Sequence, residues 1–384
     1  MLHWVADPQW VIPNIIAPFI FTAVALTLSA SGSNPIASMR FSNDNVTWSA
    51  WEAYATAKAW TLAGGDGVRT VYFQVRDSVG MVSGVFSDTI ALDTTAPTGN
   101  IMINFGAAYA NAVAATLSLA ASDAGSGLGE MRFSNDNATW TPWEAYGLSK
   151  AWTLPAGEGA KTVYAQFRDN VGRVSSSVND TIVLDTVAPT GSVTINGGAA
   201  FANSPAVTLA LSASDAGSGV AQMRFSNDNA TWSPWENYAA TKAWSLMVGD
   251  GQKTVYVQFR DGAMNGSSSY SDTIRLDATP PTGNIVVNGG AAVTNSTSVT
   301  LSLSASDAGS GVTQMRFSNN NVTWSGWEAF SARRTAWNLT SGDGTKTVYA
   351  QFRDAAGNTS GVRSDSIFYY SGISTGVEGW SLYK

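Results

Sequence analysis

In the stretch from residue 93 to residue 184, apolar side chains fall on every second position in short runs. The runs are Ile101 and Ile103, then Leu117, Leu119 and Ala121, then Met131 and Phe133, then Val163, Ala165 and Phe167, and finally Ile182 and Leu184. A period of two puts such residues on one face of a strand and their polar neighbours on the other. Turn-forming clusters separate the runs, among them Asn104-Phe-Gly, Asp123-Ala-Gly-Ser-Gly, Ser134-Asn-Asp-Asn, Gly157-Glu-Gly and Asp169-Asn-Val-Gly. About seven short strands in about 90 residues predict an immunoglobulin-like β-sandwich. No segment carries helical periodicity, so the expected fold class is all-β.

The pattern recurs along the chain. Met-Arg-Phe-Ser-Asn begins at Met39, Met131, Met223 and Met315, each 92 residues after the one before. Leu-Asp followed by Ala-Pro-Thr-Gly or Pro-Pro-Thr-Gly marks the joins at Asp93, Asp185 and Asp277, again 92 apart. The expected units are 1–92, 93–184, 185–276 and 277–369, followed by a tail over 370–384. The short joins contain proline, which limits bending, so tandem immunoglobulin-like β-sandwiches arranged as an extended rod are expected. Trp337 lies 93 rather than 92 residues beyond Trp244; the extra residue near Arg333 and Arg334 predicts a surface loop. Repeat 1 is degenerate: it lacks the usual opening join and begins with an irregular apolar segment.

Composition narrows the function classes. Only 13% of the 384 residues are charged, 11% are aromatic, and the formal net charge is −7. No run of Lys or Arg stands out, which argues against nucleic acid or an anionic membrane surface as partner. With no cysteine and one histidine, His3, thiolate–metal sites, thiol catalysis, disulfides and histidine triads are excluded. The uncharged stretch Val11–Ala30 is long enough to suggest a targeting or membrane segment. However, Pro13, Asn14 and Pro18 interrupt it, and its second half falls where the other repeats place a strand. A degenerate first repeat without a membrane span is the better reading.

Three segments of repeat 3 carry a family resemblance. Ser-Ala-Ser-Asp215-Ala-Gly-Ser-Gly-Val, Met-Arg-Phe-Ser-Asn-Asp-Asn-Ala-Thr-Trp232-Ser-Pro-Trp235 and Lys-Thr-Val-Tyr256-Val-Gln-Phe-Arg-Asp261 resemble bacterial immunoglobulin-like repeats. The resemblance covers residues 93–369 and extends partly into repeat 1. It implies modules of large extracellular or cell-surface bacterial proteins, serving as spacers, stalks or adhesive arrays.

Several residues are candidates for chemistry. An immunoglobulin-like topology gathers the incoming linker and two loops at one end of each sandwich. It would bring together Asp93, Asp123 and Asp169; Asp185, Asp215 and Asp261; and Asp277, Asp307 and Asp354, three carboxylates that could hold Ca2+ at each junction. Repeat 1 keeps only Asp77 of this set. The same residues also serve turns, since aspartate starts tight loops. Of the 15 tryptophans, 12 recur in register, and Trp143, Trp235 and Trp327 are the candidates for stacking on glycans. Their alternative role is to cover a core that lacks a disulfide. Glu52, Glu144, Glu236 and Glu328 follow these tryptophans and are expected to pair with a nearby Lys or Arg. Asn45, Asn137, Asn229 and Asn321 open Asn-X-Thr sequons, candidate glycosylation sites that also arise in ordinary turns. The acidic residues repeat in every unit whereas an active site is built once, so the chain is not expected to be an enzyme. Self-association, neighbouring surface proteins or glycans are the expected partners. The apolar Trp10–Leu28 stretch is a candidate strand for donation to a neighbour, with Phe368–Lys384 as a receiving surface.

Overall fold

The computed structural model describes residues 22–372, which divide between two compact units, one running to Thr186 and the other starting at Val187. Each unit contains two hydrophobic cores, each enclosed by its own pair of sheets.

The sandwich of residues 98–184 serves as the pattern for the others. One sheet has three antiparallel strands in the order Ser149–Thr153, Ala114–Ser122, Thr98–Ile103. The other has five, in the order Glu144–Ala145, Leu128–Ser134, Gly159–Asp169, Val178–Leu184, Tyr109–Ala110. The chain changes sheets between Ile103 and Tyr109 through a single turn at Asn104–Gly106, where Phe105 adopts φ 59°. The Ile103 N–H donates to Asp180 Oδ2 at 2.7 Å, which fixes the crossover. Tyr109–Ala110 then lies parallel to Val183–Leu184, whereas every other pairing in this sandwich is antiparallel. This is the strand arrangement of an immunoglobulin-like sandwich. The expected alternation holds: Ile101, Ile103, Leu117, Leu119, Met131, Phe133, Val163, Ala165, Phe167, Ile182 and Leu184 are all buried in one core. Three strands went unread in the sequence: Tyr109–Ala110 and Glu144–Ala145 are two residues long and show no period, and Ser149–Thr153 is an edge strand whose side chains are at most half-buried.

The sandwiches of residues 190–276 and 282–369 repeat the three-plus-five layout. In the last of them the extra residue is not in a loop. It lies within the strand Arg333–Asn338, where Ala336 has φ 58° and the pairing with Ser298–Ser306 shifts register between Val299 and Leu301. A β-bulge absorbs one residue and leaves the rest of the ladder intact. The first sandwich is smaller: among the described residues it has a two-stranded sheet, Ala23–Thr27 with Ala57–Thr61, facing a four-stranded one. The second half of the N-terminal apolar stretch therefore pairs within its own chain through Ala23–Thr27. Trp10 to Phe21 and the tail residues Trp380 and Tyr383 lie outside the described residues. Among the described residues no helix is long and apolar enough to cross a membrane.

Candidate functional site

Alternation along Met131-Arg132-Phe133 sends the methionine and phenylalanine into the core and the arginine outward. Arg132 donates from Nε and from a terminal nitrogen to Gln166 Oε1 on the neighbouring strand, at 2.9 and 2.6 Å. Held this way, its guanidinium lies 4.9 Å from the Trp140 ring centroid and 4.5 Å from that of Trp143. Arg168 approaches the Trp143 ring at 4.5 Å as well. The same series of indoles and guanidiniums recurs on Trp48 and Trp51, Trp232 and Trp235, and Trp324 and Trp327. Trp143, Trp235 and Trp327 are thus each engaged by two cations, an attraction of about 0.5–1 kcal/mol apiece at exposed sites. The third tryptophan of each set closes the core instead. Trp152 packs on Phe133 with ring centroids 5.6 Å apart, and its indole N–H donates to Asn135 Oδ1 at 3.0 Å.

The glutamates after the second tryptophan pair as expected. Lys58, Lys150 and Lys242 reach Glu52, Glu144 and Glu236 at 2.5–2.6 Å, and Arg334 reaches Glu328 at 2.9 Å. Each pair links the edges of the two sheets. The four sequon asparagines occupy exposed turns with φ between 55° and 60°. The adjacent Asp44, Asp136 and Asp228 accept backbone N–H groups, chiefly from the threonine three residues on, and their carboxyls sit far below the ordinary value.

The aspartates gather at one pole of the sandwich. Ligand oxygens of Asp93, Asp123 and Asp169 all lie within 4.8 Å of one another, as do those of Asp277, Asp307 and Asp354. Asp93 and Asp169 are almost fully buried at 1% and 3% exposure, while Asp123 is half-buried. Backbone N–H groups hold them in place. Ser126 donates to Asp93 Oδ2 at 2.7 Å, Gly127 to Asp123 Oδ1 at 2.8 Å, and Arg173 to Asp169 Oδ1 at 2.8 Å. Gly125 is required here, because a Cβ on it would fall 2.4 Å from Asp93 Cγ. Asp215 and Asp261 occupy the matching loops of the unit that begins at Val187, and Asp185 belongs to the other unit. In the first sandwich Asp77 accepts from Asn34 Nδ2 at 3.0 Å, and that amide holds its carboxyl below the usual value.

The opposite pole carries an interaction that sequence reasoning missed. Asp66 Oδ1 accepts the Thr94 N–H and hydroxyl, both at 2.6 Å, and its Oδ2 accepts the Thr95 hydroxyl at 2.5 Å. Glu158 takes the Thr186 N–H and hydroxyl in the same way, and Asp250 takes the Ala278 N–H and the Thr279 hydroxyl. Asp343 accepts the Ser371 N–H at 2.8 Å. A hairpin carboxylate therefore clasps the segment leaving each sandwich. The signal was present in the sequence, since Asp66, Glu158 and Asp250 recur at 92 residues and Asp343 follows after 93.

No family model matches the chain, and no curated protein matches it. Among solved structures it is similar to the fibronectin(III)-like modules of Clostridium thermocellum CbhA, at 16% identity and TM-score 0.31, covering 46% of this chain and 92% of that one. It is also similar to a tetra-tandem repeat from the extending region of a large adhesion protein, at 17% identity and TM-score 0.28, covering 92% and 96%. A third is the set of chicken CNTN1 FN1-FN3 domains, at 13% identity and TM-score 0.29, covering 72% and 99%. The fold rests on the sheet order and strand pairing of the chain itself: it is a tandem of immunoglobulin-like β-sandwich repeats.

Proposed function

We propose that the chain is a non-enzymatic structural spacer or assembly subunit of an extracellular bacterial surface protein or filament. The observation that carries this reading is the clasp at the exit of each sandwich. A linker whose first residues are tied back to the hairpin of the sandwich they leave has few directions open to it, and short proline-bearing joins restrict it further. The tryptophan–arginine series favours the same reading, since a sugar stacking on Trp143, Trp235 or Trp327 would compete with guanidinium groups for the ring.

The test combines electron microscopy of the native-source protein with end-to-end distances from fluorophores near the ends of residues 22–372. Thin particles with a narrow distance distribution are expected, and regular filaments would make the chain an assembly subunit. Substituting Asp66, Glu158 and Asp250 together with Ala should broaden the distribution. Modules folded back on one another in the unaltered chain would defeat the spacer reading.

A second reading, Ca2+ held at a junction, is favoured by one observation. Asp169 Oδ2 is buried and has no hydrogen-bond partner. A hard cation of this class takes six to eight oxygens, and three carboxylates with water satisfy that demand. A native-state ligand stabilises the fold, so melting should fall on chelation if an ion is held.

A further inference from the structure

The carboxylate that ends the long strand is treated alike in three sandwiches and differently in the fourth. Asn34 Nδ2 donates to Asp77 Oδ2, Asn265 Nδ2 to Asp261 Oδ2 and Asn358 Nδ2 to Asp354 Oδ2, at 3.0, 2.8 and 2.8 Å. Of these four carboxylates, only Asp169 has an Oδ2 that is buried and without a partner. The position four residues on, filled by Asn265 and Asn358 in the later sandwiches, holds Arg173 here. Its side chain passes Asp169 Oδ2 by: Nε donates to the Asp93 carbonyl at 3.0 Å, and its charge acts on Asp66 of the preceding sandwich.

Two neighbouring oxygens share this state. Asp123 Oδ2 and Ser126 Oγ are buried and have no hydrogen-bond partner. In the last sandwich the counterpart Ser310 Oγ accepts the Ala356 N–H at 3.0 Å, whereas in this one the Val171 N–H turns to Asp169 Oδ1 at 2.9 Å. Three buried oxygens at one pole thus lack donors, and a buried acceptor without a donor is costly. A single proton would satisfy one of them but not all three. A hard divalent cation accepts from several oxygens at once, and its charge offsets that of Asp93, Asp123 and Asp169.

We infer that the pole formed by Asp93, Asp123, Ser126 and Asp169 is a Ca2+-class cation site, and that Arg173 opens it by withholding the amide that closes the corresponding carboxylates elsewhere. This rests on the cation reading given above and adds to it a single location and a residue that sets it. Arg173 is a positioning residue: it acts by where its side chain does not go. The pole of Asp277, Asp307 and Asp354 is already bonded internally through Asn358, which also donates to the Asp277 carbonyl at 2.7 Å.

The experiment is calorimetric titration of Ca2+ alone into the full chain after chelator treatment, with circular dichroism confirming that each variant is folded. One ion per chain is expected. Asp169→Asn and Arg173→Asn should each weaken binding by at least about tenfold, the scale on which an altered supporting shell acts on a metal, while Asp354→Asn should leave it unchanged. Arg173→Asn installs the residue that sandwiches 3 and 4 already carry at this position, so it is compatible with the fold. Loss of binding in Asp354→Asn but not in Asp169→Asn would overturn the location and leave the cation reading standing. Unaltered binding in Arg173→Asn would overturn the role of the arginine. No binding by the unaltered chain would remove both the inference and the reading beneath it.

Discussion

Arg260 brings its guanidinium carbon to 4.2 Å from the ring centroid of Trp235, and Arg224 lies 4.5 Å from the same ring. Arg224 also meets Trp232 at 4.9 Å, so indoles and guanidiniums follow one another across the sheet face. Replacing Trp235 with Ala removes two cation–π contacts and a large half-buried ring. The expected loss is about 2 kcal/mol, below the 3–5 kcal/mol of a fully buried tryptophan. Urea denaturation of the full chain reads this as a lower midpoint for one of its transitions. If Trp235→Ala left stability untouched but abolished quenching of tryptophan fluorescence by a polysaccharide, the glycan reading would take precedence.

The clasp at Asp66 makes stability depend on pH in a defined direction. Hydroxyl donation from Thr94 and Thr95, with the Thr94 N–H, lowers its carboxyl to about 2. An unfolded aspartate titrates near ~3.9. A folded value below the unfolded one means that the contribution is complete above the unfolded value and lost as pH falls through the folded one. Thermal melting followed from pH 5 to pH 2 should therefore drop across the lower part of that range. In Asp66→Asn the drop from this site should vanish, and the two proteins should converge at the acid end. Identical pH profiles would show that the clasp adds nothing to the folded state.

Gly99 is the second residue of the first strand of its sandwich, at a place where no side chain fits. A Cβ on it would meet Phe167 Cε2 at 2.6 Å and both the Ala120 carbonyl and Ala121 Cβ at 2.8 Å. Gly99→Ala should cost about 1–3 kcal/mol by overpacking. Gly361, which has open space around its Cβ position, is the control: Gly361→Ala should stay within about 0.5 kcal/mol. Equal effects of the two substitutions would contradict the packing at Phe167.

Much of this was legible in the chain itself, and what was missed has a physical cause. Residues such as Phe133 and Phe167 showed themselves through a period of two, because strands bury alternate side chains. Asp93, Asp123 and Asp169 converge as an immunoglobulin topology requires, since linker and loop positions follow from strand order. Arg132 was invisible as a partner of Trp143, because cross-strand register sets that contact and composition does not reveal register. Tyr109–Ala110 is too short to carry a period. The extra residue near Arg333 read as a loop because insertions usually fall there, whereas a bulge at Ala336 accommodates it inside a strand. The contrast between Arg173 and Asn358 was plain in the sequence, but its meaning depends on where each side chain points.

The parallel pairing of Tyr109–Ala110 with Val183–Leu184 has a mechanical consequence. Val183–Leu184 ends the last strand of the sandwich, and Tyr109–Ala110 follows the first strand, Thr98–Ile103, after the crossover. Tension applied to the two ends drags parallel neighbours in opposite senses along their length, so their hydrogen bonds are loaded together and do not peel apart one at a time. Forced unfolding is governed by the barrier to rupturing such a pair, not by equilibrium stability. The Val183 N–H to the Ala108 carbonyl at 3.1 Å and the Asp185 N–H to the Ala110 carbonyl at 2.8 Å carry that shear. The same parallel pair recurs at Phe201–Ala202 with Arg275–Leu276 and at Val293–Thr294 with Phe368–Tyr369, so three of the sandwiches carry it.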